Sequence, residues 1–132
     1  MALIYLDSSA LVKLIVTEPE SAALTELLRA WPDRISSALA LTEVPRALRR
    51  AGFGNPERSR ARQVLTRVNL VEVDRRILAA AASLDPPTLR TLDAIHVATA
   101  LAVREDLGVV VSYDLRLSVA AQRAQLEVLA PA

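Results

Sequence analysis

Four carboxylates stand where short apolar runs give way to helical patterns. Asp7 closes Leu3-Ile4-Tyr5-Leu6 and is followed by Ser8-Ser9, and Asp114 follows Val109-Val110-Val111-Ser112-Tyr113. Asp93 falls in the first turn of Leu92-Asp93-Ala94-Ile95-His96-Val97-Ala98-Thr99-Ala100, and Glu43 lies early in the helical stretch after Arg34–Ser37. Each has an ordinary structural use. Asp7 and Asp114 are good helix N-caps, and Asp93 and Glu43 suit the positive end of a helix dipole. As a group they ask for more, because converging carboxylates repel unless a cation sits among them. Hard oxygen ligands without a thiolate or a histidine cluster select Mg²⁺ or Mn²⁺. One or two such ions would orient a water, lower its pKa and balance charge on a phosphoryl transition state. That is the chemistry of a metal-dependent nuclease.

The composition narrows the choice in the same direction. The 132-residue chain has no cysteine and a single histidine, His96. Disulfides, iron–sulfur clusters, thiolate zinc sites and cysteine nucleophiles are therefore absent, and a multi-histidine metal site is impossible. The 16 basic and 15 acidic residues give a net charge of +1, which argues against a strongly basic clamp. Setting the four rim acids aside, however, leaves a mild basic excess on the rest of the chain. Fifteen of the 16 basic residues are arginine, with Lys13 the exception. No apolar run is long enough to span a membrane, and no basic segment precedes Leu3–Leu6 as in a signal peptide, so a cytoplasmic protein is expected.

The elements that must position these acids alternate. Strands are expected at Leu3–Leu6, Arg34–Ser37, Asn69–Val73, Gly108–Ser112 and Leu126–Leu129. Helices are expected over Ser8–Val16, Pro19–Ala30, Leu39–Ala51, Asn55–Val68, Asp74–Leu84, Thr91–Glu105 and Asp114–Gln125, with Asn55 and Thr91 as caps. Strands alternating with helices imply βαβ crossovers and a parallel sheet covered on both faces. The chain thus reads as one domain, residues 1–132, of α/β class. In such sheets the ligand crevice lies beyond the carboxyl ends of the strands, where all four acids fall.

These motifs together resemble a PIN-domain ribonuclease. The Asp7-Ser8-Ser9 strand end, Leu41-Thr42-Glu43-Val44, the Asp93 helix and the Ser112-Tyr113-Asp114 turn carry the likeness, which covers nearly the whole chain. Among PIN domains it is most similar to the VapC toxins of bacterial toxin–antitoxin pairs. The resemblance implies a three-layer α/β/α sandwich with a mainly parallel sheet. It also implies that Asp7, Glu43, Asp93 and Asp114 form a catalytic quartet binding Mg²⁺ or Mn²⁺. It further implies a structured RNA substrate such as tRNA or rRNA, a homodimer, and silencing by a small DNA-binding antitoxin. Asp114, the weaker fourth member, is allowed to act through water. One departure is Pro45, two residues after Glu43: either the helix starts near Thr42 or it is kinked there.

Other residues have two readings. His96 is a proton shuttle or outer partner of the acids, or else a packed histidine in an apolar helix. Ser8, Ser9 and Ser112 orient water or phosphate, or serve as caps and turn donors. Arg90 contacts RNA phosphate or is a solvated loop residue. Arg46 and Arg50 share a helical face and face RNA or the rim acids, with Arg49 pointing elsewhere. Arg58, Arg60, Arg62 and Arg67 make the next helix basic. Few aromatics are available for base stacking, which favours RNA read by shape. Trp31 is a candidate anchor for a dimer or antitoxin, and the apolar surplus of the Ser8–Ala30 helices a candidate exposed patch. Two rival enzymes lose on residues: a haloacid-dehalogenase-like site needs an acid where Ser9 stands, and a receiver domain needs a late lysine. A catalytically silent PIN-like module that binds RNA or protein is the non-enzymatic alternative.

Overall fold

A computed structural model describes residues 2–132. In chain order the elements are β1 (Leu3–Leu6), α1 (Ser8–Ile15), α2 (Ser21–Leu28), β2 (Arg34–Ser37), α3 (Ala40–Arg50), α4 (Asn55–Thr66), β3 (Asn69–Val71), α5 (Arg75–Ala82), α6 (Thr91–Ala102), β4 (Leu107–Val111), α7 (Leu115–Arg123) and β5 (Val128–Leu129). The strands form one sheet in the order β3-β2-β1-β4-β5, and every pairing is parallel. The expected α/β/α sandwich is what forms. Strand alternation sends Ile4, Leu6, Val109 and Val111 into the layer of α1 to α4, and Tyr5, Ile35 and Val110 into the layer of α6 and α7. Both faces are buried, so β1 and β4 read as continuous apolar runs.

The strand order places the site. The chain runs from β1 outward to β3, then returns to add β4 and β5 on β1's other side. β1 and β4 therefore meet at the topological switch point, where the crossovers diverge and leave a crevice beyond their carboxyl ends. Asp7 and Ser112 are the residues that follow these two strands.

Several boundaries differ from expectation, each for a local reason. Gly54, not Asn55, is the N-cap of α4, and Glu57 reaches back to accept from the Gly54 N–H at 3.1 Å. Thr91 is not a cap: Arg90 holds that position in extended backbone, without a side-chain bond. Helix α3 starts at Ala40, ahead of Thr42, and Pro45 lies inside it. Proline removes the N–H that would bond the Leu41 carbonyl, and Leu41 is exposed to solvent. The anticipated patch on the Ser8–Ala30 helices does not form, because Leu11, Ile15, Leu24 and Leu28 are buried. The large apolar residues left exposed are Leu41, Leu78, Leu92, Leu115, Val119 and Leu129.

Trp31 also turns inward. Its ring lies against Gly108 at the start of β4, where an added Cβ would overlap Cη2 and Cζ3. The Arg34 guanidinium donates to the Trp31 and Leu28 carbonyls, both at 3.1 Å, and so fastens this loop to the end of α2. Trp31 is thus a structural plug at the amino end of the sheet.

Candidate active site

The crevice is built from one network across the switch point. Asp7, 2% exposed, caps α1 by accepting from the Ala10 N–H at 2.9 Å. It also accepts from Ser9 Oγ at 2.6 Å and, through Oδ2, from Ser112 Oγ at 2.5 Å. The Tyr113 N–H donates to Ser9 Oγ at 2.9 Å, closing a bridge from α1 to the turn after β4. The capping role and the rim position foreseen for Asp7 coexist in one side chain. Ser9 and Ser112 are its donors. Burial nevertheless raises the Asp7 carboxyl above its ordinary value, against the opposing pull of Ser112, Ser9, the Ala10 N–H and His96.

Asp93 is placed differently. It sits in the first turn of α6, 8% exposed, and its Oδ2 is buried with no hydrogen-bond partner. Burial raises its pKa first, and the neighbouring charge of Asp114 raises it further. Glu43 adds to the rise, whereas His96 and Arg90 oppose it. Arg90 is itself exposed. Asp114 caps α7, accepting from the Arg116 N–H at 2.9 Å and the Leu117 N–H at 3.4 Å.

Glu43 is the carboxylate whose aim Pro45 put in question. Its Oε1 accepts from Ser8 Oγ and faces His96 Nε2, both at 2.7 Å. Burial resists its ionisation, but the His96 and Ser8 hydrogen bonds outweigh it and hold the carboxyl below its ordinary value. His96, 2% exposed, is both the packed histidine and the partner of an acid. Its other nitrogen, Nδ1, lies 2.7 Å from the Tyr5 hydroxyl. Tyr5 was not anticipated. Burial pushes its phenol well above the ordinary value, and Asp7 adds to the shift. The signal was its place as the sole polar side chain in β1.

Beside these groups a hollow of about 450 Å³ is lined by Ser8, Ser9, Glu43, Lys13, Arg50 and Tyr113. Lys13 is held at its edge by Glu20 at 3.1 Å and Glu18 at 3.5 Å, and stands 4.8 Å from the centre of the Tyr113 ring. Arg50 also lines a second hollow of about 300 Å³ with Arg46 and Arg49, so Arg49 shares the face from which it was excluded.

The donor set suits a hard divalent cation: all-oxygen ligands, one of them an orphaned buried oxygen. Among the described residues, no three carboxylate or imidazole groups are drawn together into a finished ligand cluster.

Comparison with known proteins decides the family. The PIN domain model matches residues 4–122. The chain belongs to the PIN-domain family. Ribonuclease VapC46 of Mycobacterium tuberculosis is 50% identical over 131 residues, covering 99% of both chains, which places this chain among the VapC-type PIN proteins. Two solved structures share the fold. A toxin–antitoxin complex from Klebsiella pneumoniae superposes with a TM-score of 0.72 at 22% identity, covering 100% of this chain and 98% of the other. Mycobacterium tuberculosis VapC20, described as a sarcin–ricin-loop-cleaving toxin, gives 0.69 at 19% identity, covering 89% and 94%.

Proposed function

We propose that this VapC-type PIN domain is a Mg²⁺- or Mn²⁺-dependent endoribonuclease and the toxin of a toxin–antitoxin pair. The observation that carries the reading is the buried, unpartnered Oδ2 of Asp93 at the switch-point crevice. A carboxylate oxygen is not left buried without a partner at no cost, and a cation is the partner that three neighbouring acids favour. Asp7, Glu43 and Asp93 hold the principal metal, with Asp114 completing the set directly or through water. A cation bound there lowers the pKa of a water and offsets charge gathering on the phosphoryl oxygens.

The chain's own groups then divide the work. Ser9 and Ser112 fix the orientation of Asp7, and Ser8 and His96 fix that of Glu43. Arg46 and Arg90 are exposed beside the rim and suit contacts with RNA phosphates, which supply affinity without sequence information. A structured RNA is the substrate class, since the crevice offers no stacking platform apart from the half-buried Tyr113. The partners are a small DNA-binding antitoxin and a second copy of the chain. Exposed Leu92, Leu115 and Val119 supply apolar surface for one of them. The working compartment is the cytoplasm, and no helix among the described residues is long and apolar enough to cross a membrane.

The test is cleavage of RNA by the purified chain, free of any partner. Cleavage should require Mg²⁺ or Mn²⁺ and be abolished by Asp93→Asn and by Asp7→Asn. Equal cleavage by wild type and both variants would place the activity elsewhere.

A further inference from the structure

We infer that Tyr5 is a positioning residue for Glu43, acting through His96 by selecting which imidazole nitrogen meets the carboxylate. Three residues from three elements make the chain: Tyr5 on β1, His96 on α6 and Glu43 on α3. The Tyr5 hydroxyl lies 2.7 Å from His96 Nδ1, and His96 Nε2 lies 2.7 Å from Glu43 Oε1. A phenol is a donor at ordinary pH. If its O–H points at Nδ1, that nitrogen must be the bare one, and the neutral ring carries its hydrogen on Nε2. That hydrogen is then donated to Glu43. The opposite tautomer would set a nitrogen lone pair against a carboxylate oxygen and two hydrogens against each other at Tyr5. Which ring nitrogen bears the hydrogen is set by the bond the other one makes.

The surroundings leave no substitute for the hydroxyl. Tyr5 is 1% exposed and the imidazole equally sealed. The two rings meet edge to face, with centroids 6.0 Å apart and planes at 80°, which fixes the plane of the imidazole as well as its hydrogen. At the rim, Glu43 Oε1 also accepts from Ser8 Oγ at 2.7 Å. Both in-plane lone pairs of Oε1 are thereby engaged, so Glu43 has only Oε2 to offer a cation. A carboxylate held in this way enters a metal site with its orientation already set. Partners that orient a ligand typically change metal affinity by about 10–100-fold when removed.

The tautomer is independent of the proposed function, whereas its effect on metal affinity rests on that reading, and the experiment separates them. His96 is the sole histidine, so the ring-nitrogen NMR signals of the untagged chain belong to it alone. With the ring neutral, wild type should show the Nε2–H tautomer, and Tyr5→Phe should lose that selection. Mn²⁺ affinity measured by calorimetry should fall about tenfold or more in Tyr5→Phe. His96→Gln, whose amide nitrogen falls near the Nε2 position and donates without a tautomer to choose, should keep wild-type affinity and make Tyr5→Phe silent. His96→Asn, which reaches only the Nδ1 position, should lose affinity as Tyr5→Phe does. An unchanged tautomer in Tyr5→Phe, or an Nδ1–H tautomer in wild type, would overturn the inference. If wild type shows the predicted tautomer and Tyr5→Phe loses it, but no Mn²⁺ binds, the positioning stands and the metal reading falls.

Discussion

The two lips of the crevice treat a buried aspartate in opposite ways. On the β1/β4 lip, Asp7 accepts from Ser9, Ser112 and the Ala10 N–H. On the α6 lip, Asp93 keeps a buried oxygen with no partner. Burial raises the pKa of both, so burial alone does not tell them apart. Satisfaction does. Asp7 is a post that ties α1 to the end of β4 while still facing the crevice. Asp93 stabilises nothing that the fold can show, and its cost is explicable only by something it binds.

The sharpest way to break this comparison is to supply the cation. At about 100 times its dissociation constant, a ligand that binds only the folded chain stabilises it by about 2.7 kcal/mol. Urea denaturation with Mn²⁺ should show a gain of that order for wild type and none for Asp93→Asn. A gain in both would mean that the metal binds elsewhere.

The next effect concerns the lips themselves, without metal. Asp7→Asn replaces an oxygen by an amide nitrogen where donors converge, leaving buried groups unmatched, and should lose about 1–3 kcal/mol in EDTA. Asp93→Asn should match or exceed wild type in EDTA, because it removes an uncompensated charge. If Asp93→Asn melts several degrees lower, Asp93 is mainly structural and the contrast fails.

The smallest effect is in the pH dependence. Between the unfolded carboxyl value of about 4 and the raised folded value, the folded chain holds more protons, so stability falls as pH rises. Glu43, with its lowered value, acts in the opposite sense and loses its contribution as pH falls. The advantage of Asp93→Asn over wild type in EDTA should therefore widen as pH rises above about 4. A difference that does not vary with pH would show that Asp93 ionises as freely in the folded chain as in the unfolded one.

Much of the frame was legible because it rests on periodicity. The apolar runs of β1 and β4 and the punctuation by Gly52 and Pro86-Pro87 place elements within a few residues. The rule that sites lie at strand ends then finds the acids. Cap chemistry was less legible: Thr91 looked like a cap, but Arg90 takes that place in extended backbone. Helix α3 tolerates Pro45 because the turn is open to solvent. The Tyr5–His96–Glu43 chain was hidden because it joins residues far apart in sequence, and β1's alternation alone says that Tyr5 faces α6 without saying what it meets. Trp31 was misread as a docking residue because sequence gives its size and not its partner, Gly108.

That last contact has an evolutionary consequence. The indole at position 31 and the missing side chain at position 108 fill the same space, so neither can drift alone. A lineage that gains a side chain at position 108 must shrink the ring at position 31 in the same step, or splay the loop that the Arg34 guanidinium fastens. The pair lies at the end of β4 away from the carboxylates, where it is insulated from selection on the RNA that is cut. Related chains that diverge in target should therefore keep this pair matched while their crevice arginines change.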